Sequence, residues 1–180
     1  MKTNFAFKIQ AVFLIAFLCS VLGFSQAAPK LNDAEIASVA VTANQIDVDY
    51  GKIAIARSQN EDVLEFANTM IDDHDAIIKM AVDLVTKLGV VPQDNKMSQS
   101  LLKQAAETTK KLKNAHADAF DKMYIDNEVA YHQAVINAVR DVLIPQSQNA
   151  ELKELLQTAM PILETHLGHA KMAQSNISKK

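Results

Sequence analysis

The sequence predicts an all-α protein: an antiparallel four-helix bundle with an extra short helical segment in the connection between its second and third long helices. Three observations carry that prediction. Alanine, leucine, lysine and glutamine are common, while 180 residues hold only 4 glycines and 4 prolines, a composition that suits helix interiors. No stretch alternates apolar and polar residues as a half-buried strand does. Apolar residues instead recur in alternating steps of three and four, which gathers them on one face of a helix.

The elements follow in order. Residues 1–27 read as a secretory signal: Lys2 and Lys8, an apolar run from Ala11 to Leu22, and small residues from Gly23 to Ala28 that offer cleavage after Ser25 or Ala27. The run is short for a membrane span, and no second candidate follows. The expected location is the periplasm or the outer membrane's periphery, with a retained signal anchor as the alternative. Cys19 is the only cysteine and lies in this leader, so the rest of the chain has no disulfide and no thiolate ligand. Leu18 before it argues against lipid attachment, which wants a small residue there.

Residues 28–175 are expected to form one bundle domain, with 176–180 frayed. The first helix runs from about Asp33 to Ser58, opened by Asn32 and Glu35 as a capping box. The second starts after Asn60 and stops near Leu88, where Gly89 can take a left-handed closing conformation. Pro92 marks a loop. Ser98 to Lys113 is helical but poor in core residues. A stronger helix runs from about Ala117, with Asp118 as its candidate cap, to Leu143, and Ile144 to Asn149 is a turn containing Pro145. Asn149 caps a last helix reaching about Ser175. Pro161 inside it removes an amide donor, so a kink is expected.

The seams hold three histidines. One reads Val63, Ala67, Met70, His74, Ile77, Ala81; the next Ile125, Val129, His132, Ile136, Val139; the last Leu156, Ala159, Leu163, His166, Ala170. A buried imidazole has two ring nitrogens to satisfy. Counting from the turns puts all three near mid-helix, with His132 and His166 about one turn apart in height. Glu128 shares a face with His132, four residues on. On the first helix Asp49 joins Val39, Thr42, Ile46 and Ile53, and Asp47 joins Ile36, Ala40, Ala43 and Tyr50. One of these carboxylates faces inward or the rim, and the other faces water.

Imidazole with carboxylate suits a divalent transition metal, whether iron, manganese or zinc. Met70, four before His74, adds a thioether and keeps copper open. The ligand set expected is His74, His132 and His166, with Glu128 and Asp49 as ligands or supports. A standard di-iron pattern is missing, because no Glu-x-x-His occurs. The competing reading is a non-catalytic envelope protein whose core histidines only tie helices together. His116 and His169 fall off the seams and are expected in solvent; Tyr124 and Tyr131 are expected in the core or at its rim with hydroxyls bonded.

Other function classes lack support. The leader holds two of the 18 basic residues and none of the 21 acidic ones, so the remainder is more acidic than the whole chain's −3. Without a basic stripe, nucleic acid is not an expected partner. An envelope protein or a second copy of the chain is. No glycine-rich phosphate loop, Ser-His-Asp order or activated cysteine points to an enzyme.

Four patches also carry a family likeness. They are Asp49-Tyr-Gly51-Lys52-Ile-Ala, Phe66-Ala-Asn-Thr-Met70-Ile-Asp-Asp73-His74, Phe120-Asp121-Lys-Met-Tyr124 running on to His132, and Met160-Pro161-Ile-Leu-Glu164-Thr-His166-Leu. From Asp47 to Ala173 the chain resembles the bacterial domain-of-unknown-function family 4142 (DUF4142). That resemblance implies an exported, ferritin-like bundle and no particular activity. Asp49 stands where the family usually shows a glutamate.

Overall fold

A computed structural model describes residues 30–178. The expected signal segment therefore lies outside the described residues. The described chain is helical almost throughout: α1 Asp33–Arg57, α2 Glu61–Leu88, α3 Lys96–Asn114, α4 Ala117–Ala138, a π-helical turn Val139–Leu143, a short α5 Ile144–Gln146, and α6 Ala150–Ile177. None of these helices is long and apolar enough to cross a membrane.

Local chemistry sets most of the ends. Asn32 and Glu35 form the capping box at the start of α1. Asn60 and Asn149 accept backbone N–H groups at the starts of α2 and α6. Gly89 ends α2 with φ 64°, in the left-handed region that only glycine enters without steric cost.

Several boundaries differ from the sequence reading. Asn95, not Ser98, caps α3, and Ser98 bonds back to it as the third residue of a second capping box. His116 precedes α4 without a side-chain cap, so Asp118 sits inside the helix. The expected turn after Leu143 begins later. The chain winds on through a π turn, in which the Ile144 N–H reaches back five residues to the Val139 carbonyl, and then through Pro145 to Gln146. Pro145 has no N–H to give, and a widened turn just before it accommodates that loss. α6 runs unbroken through Pro161 and reaches Ile177, past Ser175.

Two ends organise the bundle. At one, Asp33 accepts the Gln148 and Asn149 backbone N–H groups, and the Ala34 carbonyl accepts the Gln93 N–H. The start of α1, the α2–α3 loop and the turn before α6 thus meet. At the other, Arg57 donates to the Leu112 and Ala115 carbonyls and lies 4.7 Å over the Phe120 ring, joining the α1–α2 turn to the α3–α4 turn. α1, α3 and α6 run from the first end to the second, and α2 and α4 return.

α1 pairs with α2, α4 with α6, and α2 with α6, whereas α1 and α4 touch sparingly. α3 lies on α1 beside that gap. It is the crossover that lets α2 and α4 begin at the same end. At 19 residues it is a full fifth helix rather than a short segment. It looked weak in sequence because a narrow stripe suffices for a helix that covers one seam; only Ser98 and Leu112 on it are fully buried.

The core falls into two clusters. One, toward the α1–α2 turn, packs Val63, Phe66, Met70, Phe120, Tyr124 and Ile125 with Ala170. The other, toward the turn before α6, packs Leu31, Ile36, Val39, Leu143, Leu152 and Leu156.

Candidate metal centre

Between these clusters lies a polar layer. α2 and α4 start at one end and α6 at the other, so residues near the middle of each share a level. There the seam positions of three helices carry His74, His132 and His166, which are 2%, 1% and 1% exposed. Their ring centroids are 5.7 Å (His74–His132), 5.0 Å (His74–His166) and 5.5 Å (His132–His166) apart.

One nitrogen of each ring is held from outside. The Nδ1–H of His74 donates to Asn44 Oδ1 at 2.7 Å. The Asn44 amide cannot turn away without losing its own bond, Nδ2–H to the Ala40 carbonyl at 2.8 Å. The Nδ1–H of His132 donates to the Glu128 carbonyl at 3.0 Å. The Nε2–H of His166 donates to Asp73 Oδ2 at 2.9 Å. Each acceptor fixes a tautomer and a ring orientation, as the outer partners of metal-binding histidines do.

The second nitrogen of each ring is left with its lone pair facing inward. His74 Nε2, His132 Nε2 and His166 Nδ1 are buried and have no hydrogen-bond partner among the described residues; the same holds for both oxygens of Asp47 and for Glu128 Oε2. Buried polar atoms are rarely left this way, and six in one layer require an account. Asp47 Oδ2 lies 3.4 Å from His74 Nε2 and 3.5 Å from His132 Nε2. Four ligands at bonds of about 2.1 Å around a tetrahedral ion stand about 3.4 Å apart, so these separations match the edge of such a shell. His74, His132 and His166 form one set whose ligand atoms lie within 4.8 Å of one another, and Asp47, Glu128 and His132 form a second. A cavity of about 10 Å³ touches Asp47, His74 and His132, room for about one water or ion.

Burial governs the charges. It raises the Asp47 carboxyl to about 8. Glu128 is pushed well above the usual carboxylate range, first by burial and then by the charge of Asp47. Burial lowers His74 to about 2, assisted by the charges of His132 and His166, and lowers His132 to about 4. His166 is lowered by burial against the upward pull of Asp73. Left to protons alone, burial favours the uncharged form of every group in the cluster: it raises both carboxyls and lowers all three imidazoles. A cation among them would favour ionised carboxylates instead.

Of the residues expected from sequence, the fold brings His74, His132, His166 and Glu128 together. It does not bring Asp49, which is exposed and accepts from Gln45 Nε2 at 3.1 Å. Asp47, 1% exposed, holds the inward position. α1 is covered by α2, α3 and α4, so both of its apolar stripes are buried in part, and periodicity alone could not choose between two carboxylates two residues apart.

Asn44 and Asp73 were not anticipated as supports. Asp73 follows the seam's flank and reaches α6 only because α2 and α6 lie side by side. Tyr131 bonds the Ala43 carbonyl at 2.9 Å, as expected of a rim tyrosine. Tyr124 instead buries a hydroxyl with no hydrogen-bond partner among the described residues, and burial followed by the charges of Glu128 and Asp47 pushes it well up. Met70 packs in the aromatic cluster. His116 and His169 are exposed.

A family model described as a domain of unknown function, DUF4142, matches residues 23–173. No curated protein and no solved structure matches the chain.

Proposed function

This chain belongs to the DUF4142 family, and from that premise we propose that it holds one divalent transition metal inside its bundle, bound by the imidazoles of His74, His132 and His166, with Asp47 and Glu128, which group around His132, beside them. One observation carries the reading: three ring nitrogens, each with its outer N–H already committed, are buried without a partner in one layer with Asp47, whose carboxyl has only that of Glu128 to share a proton with. Nitrogen and oxygen donors without thiolate suit zinc, iron or manganese. Ligands this deeply buried favour retention of the ion over turnover of a substrate. The leader read at residues 1–27 supports placement in the cell envelope.

The test is loading with zinc, iron(II) and manganese(II) separately, then dialysis and elemental analysis. About one equivalent of one ion should remain on the parent chain and on Asp49→Ala. It should be lost from His132→Ala and Asp47→Ala, with helicity by circular dichroism reported for each. The rival is a layer closed by shared protons, supported by the raised carboxyl values of Asp47 and Glu128. Retention of no ion, with no change in melting temperature on loading, would establish that rival.

A further inference from the structure

A second space lies beside the polar layer, a cavity of about 460 Å³ in the half of the bundle toward the turn before α6. It occupies the seam where α1 and α4 touch sparingly and α3 lies alongside. Its lining is mostly apolar, with Asn44, Ser100, Gln104, Thr108 and Asn127 among it, and contains no Asp, Glu, Lys, Arg or His. Alanines of four helices line it (Ala40, Ala105, Ala134, Ala138 and Ala159), where larger side chains would have taken up space. The α3 wall extends from Met97 to Thr108, about 16 Å at the rise of a helix, so the cavity is long for its volume. Exposed Ala130, Ala134, Ser100 and Gln104 also line it and place its mouth between α3 and α4.

Interiors are packed to near-crystalline density, and the cost of unfilled apolar space grows with its volume. Water is a poor filler along the apolar part of the wall, which leaves its hydrogen bonds unmade. The volume falls within the range of small-molecule sites. We infer that this cavity binds a linear alkyl chain, inserted from the mouth between α3 and α4, with an uncharged polar head left among Ser100, Gln104 and Asn127. A long narrow space fits one chain, and a lining without charge gives a carboxylate or ammonium head no partner. The inference does not depend on a metal in the polar layer, which Asn44 and Tyr131 separate from the cavity by lining both spaces.

The experiment is displacement of the dye N-phenyl-1-naphthylamine from the purified chain by the series hexanol, octanol, decanol and dodecanol, with laurate as a charged counterpart. Saturable displacement at one site per chain is expected. Affinity should rise about fourfold per added methylene until the chain outgrows the cavity, the factor that corresponds to about 0.8 kcal/mol for each buried CH₂. Dodecanol should bind more tightly than laurate at pH 8. Filling the space with Ala138→Leu and Ala159→Leu together should weaken dodecanol at least tenfold while leaving helicity and metal content unchanged. Non-saturable displacement, affinity independent of chain length, or equal binding by the filled variant would overturn the site. Tighter binding of laurate would overturn the uncharged head. If the double variant misfolds, Ala134→Leu at the mouth provides the same reading, and there too unaltered affinity counts against the proposal.

Discussion

The two halves of the bundle are built from different side chains and do different things. Toward the α1–α2 turn, Phe66 meets Tyr124 edge-on at 6.1 Å and Tyr124 stacks on Phe120 at 6.3 Å, and the rings fill the space between helices. Both phenylalanines among the described residues lie there. Toward the other end the core is aliphatic, alanines stand at facing positions, and about 460 Å³ stays open. The polar layer sits between a wall and a chamber. Phe66 backs His132 from the packed side at 6.5 Å, while Tyr131 and Asn44 face it from the open side. The contrast teaches that an all-apolar seam does not imply uniform packing: ring-bearing positions hold the site rigid, and small ones beside it leave room.

Truncation in the packed half should cause the largest effect. Phe66→Ala removes a ring that touches both Tyr124 and His132, and should cost about 3–5 kcal/mol in urea unfolding. A loss below about 1 kcal/mol would break the comparison, since that half would then be as loose as the other.

Gly51→Ala comes next. A Cβ there would stand 2.8 Å from Ile71 Cγ1 and 3.1 Å from the Ala67 carbonyl, so α1 and α2 would have to part. The expected cost is about 1–3 kcal/mol, partly recovered by removing the clashing atom with Ile71→Ala.

The polar layer should show itself through pH. Asp47, raised from 3.8 to about 8, keeps a proton in the fold that the unfolded chain has lost. Its contribution is complete below about pH 3.8 and is lost as pH rises through about 8. His74, lowered from 6.5 to about 2, has the opposite sign: its contribution is complete above pH 6.5 and is lost as pH falls toward 2. The two oppose each other up to pH 6.5, and above it only the carboxyls act. Metal-free protein should therefore lose stability between pH 6.5 and 8, on the order of 2 kcal/mol at about 1.4 kcal/mol per unit. Asp47→Asn should flatten that decline. A saturating metal should remove it, because the carboxylate is then wanted in its charged form. Urea midpoints at the two pH values, with chelator and with metal, check all three statements.

Filling the open half should matter least. Ala138→Leu adds apolar surface to unoccupied space and should change stability by less than about 1 kcal/mol in either direction. A loss as large as that of Phe66→Ala would mean that the chamber closes in solution.

Much of this arrangement was readable from the residues. His74, His132 and His166 announce themselves because imidazoles interrupt seams of leucine, isoleucine and alanine at a spacing that leaves no other face for them. Glu128 follows from its four-residue offset to His132. Asn32, Asn60, Gly89 and Asn149 mark helix ends through bonds made within a few residues. Asp47 was not separable from Asp49, because each lay on a stripe with apolar company and only the number of helices packed on α1 decides between them. Asn44 gave no signal, and Asp73 showed only as a carboxylate on the flank beside His74: a hydrogen bond from α2 to α1, or from α6 to α2, is a property of neighbouring helices and not of spacing along one. Ala40 and Ala159 read as ordinary stripe residues, since a missing side chain and a small packed one look alike in sequence.

Helical periodicity, caps and turn residues thus determined by themselves that the chain forms long amphipathic rods and which imidazoles face inward, since these depend on backbone geometry and contacts a few residues apart. Only the tertiary structure decided which carboxylate joins the imidazoles, which partner aims each ring, and where the interior stays open. Those outcomes depend on how the rods are rotated and seated against one another, which spacing along a single helix does not fix.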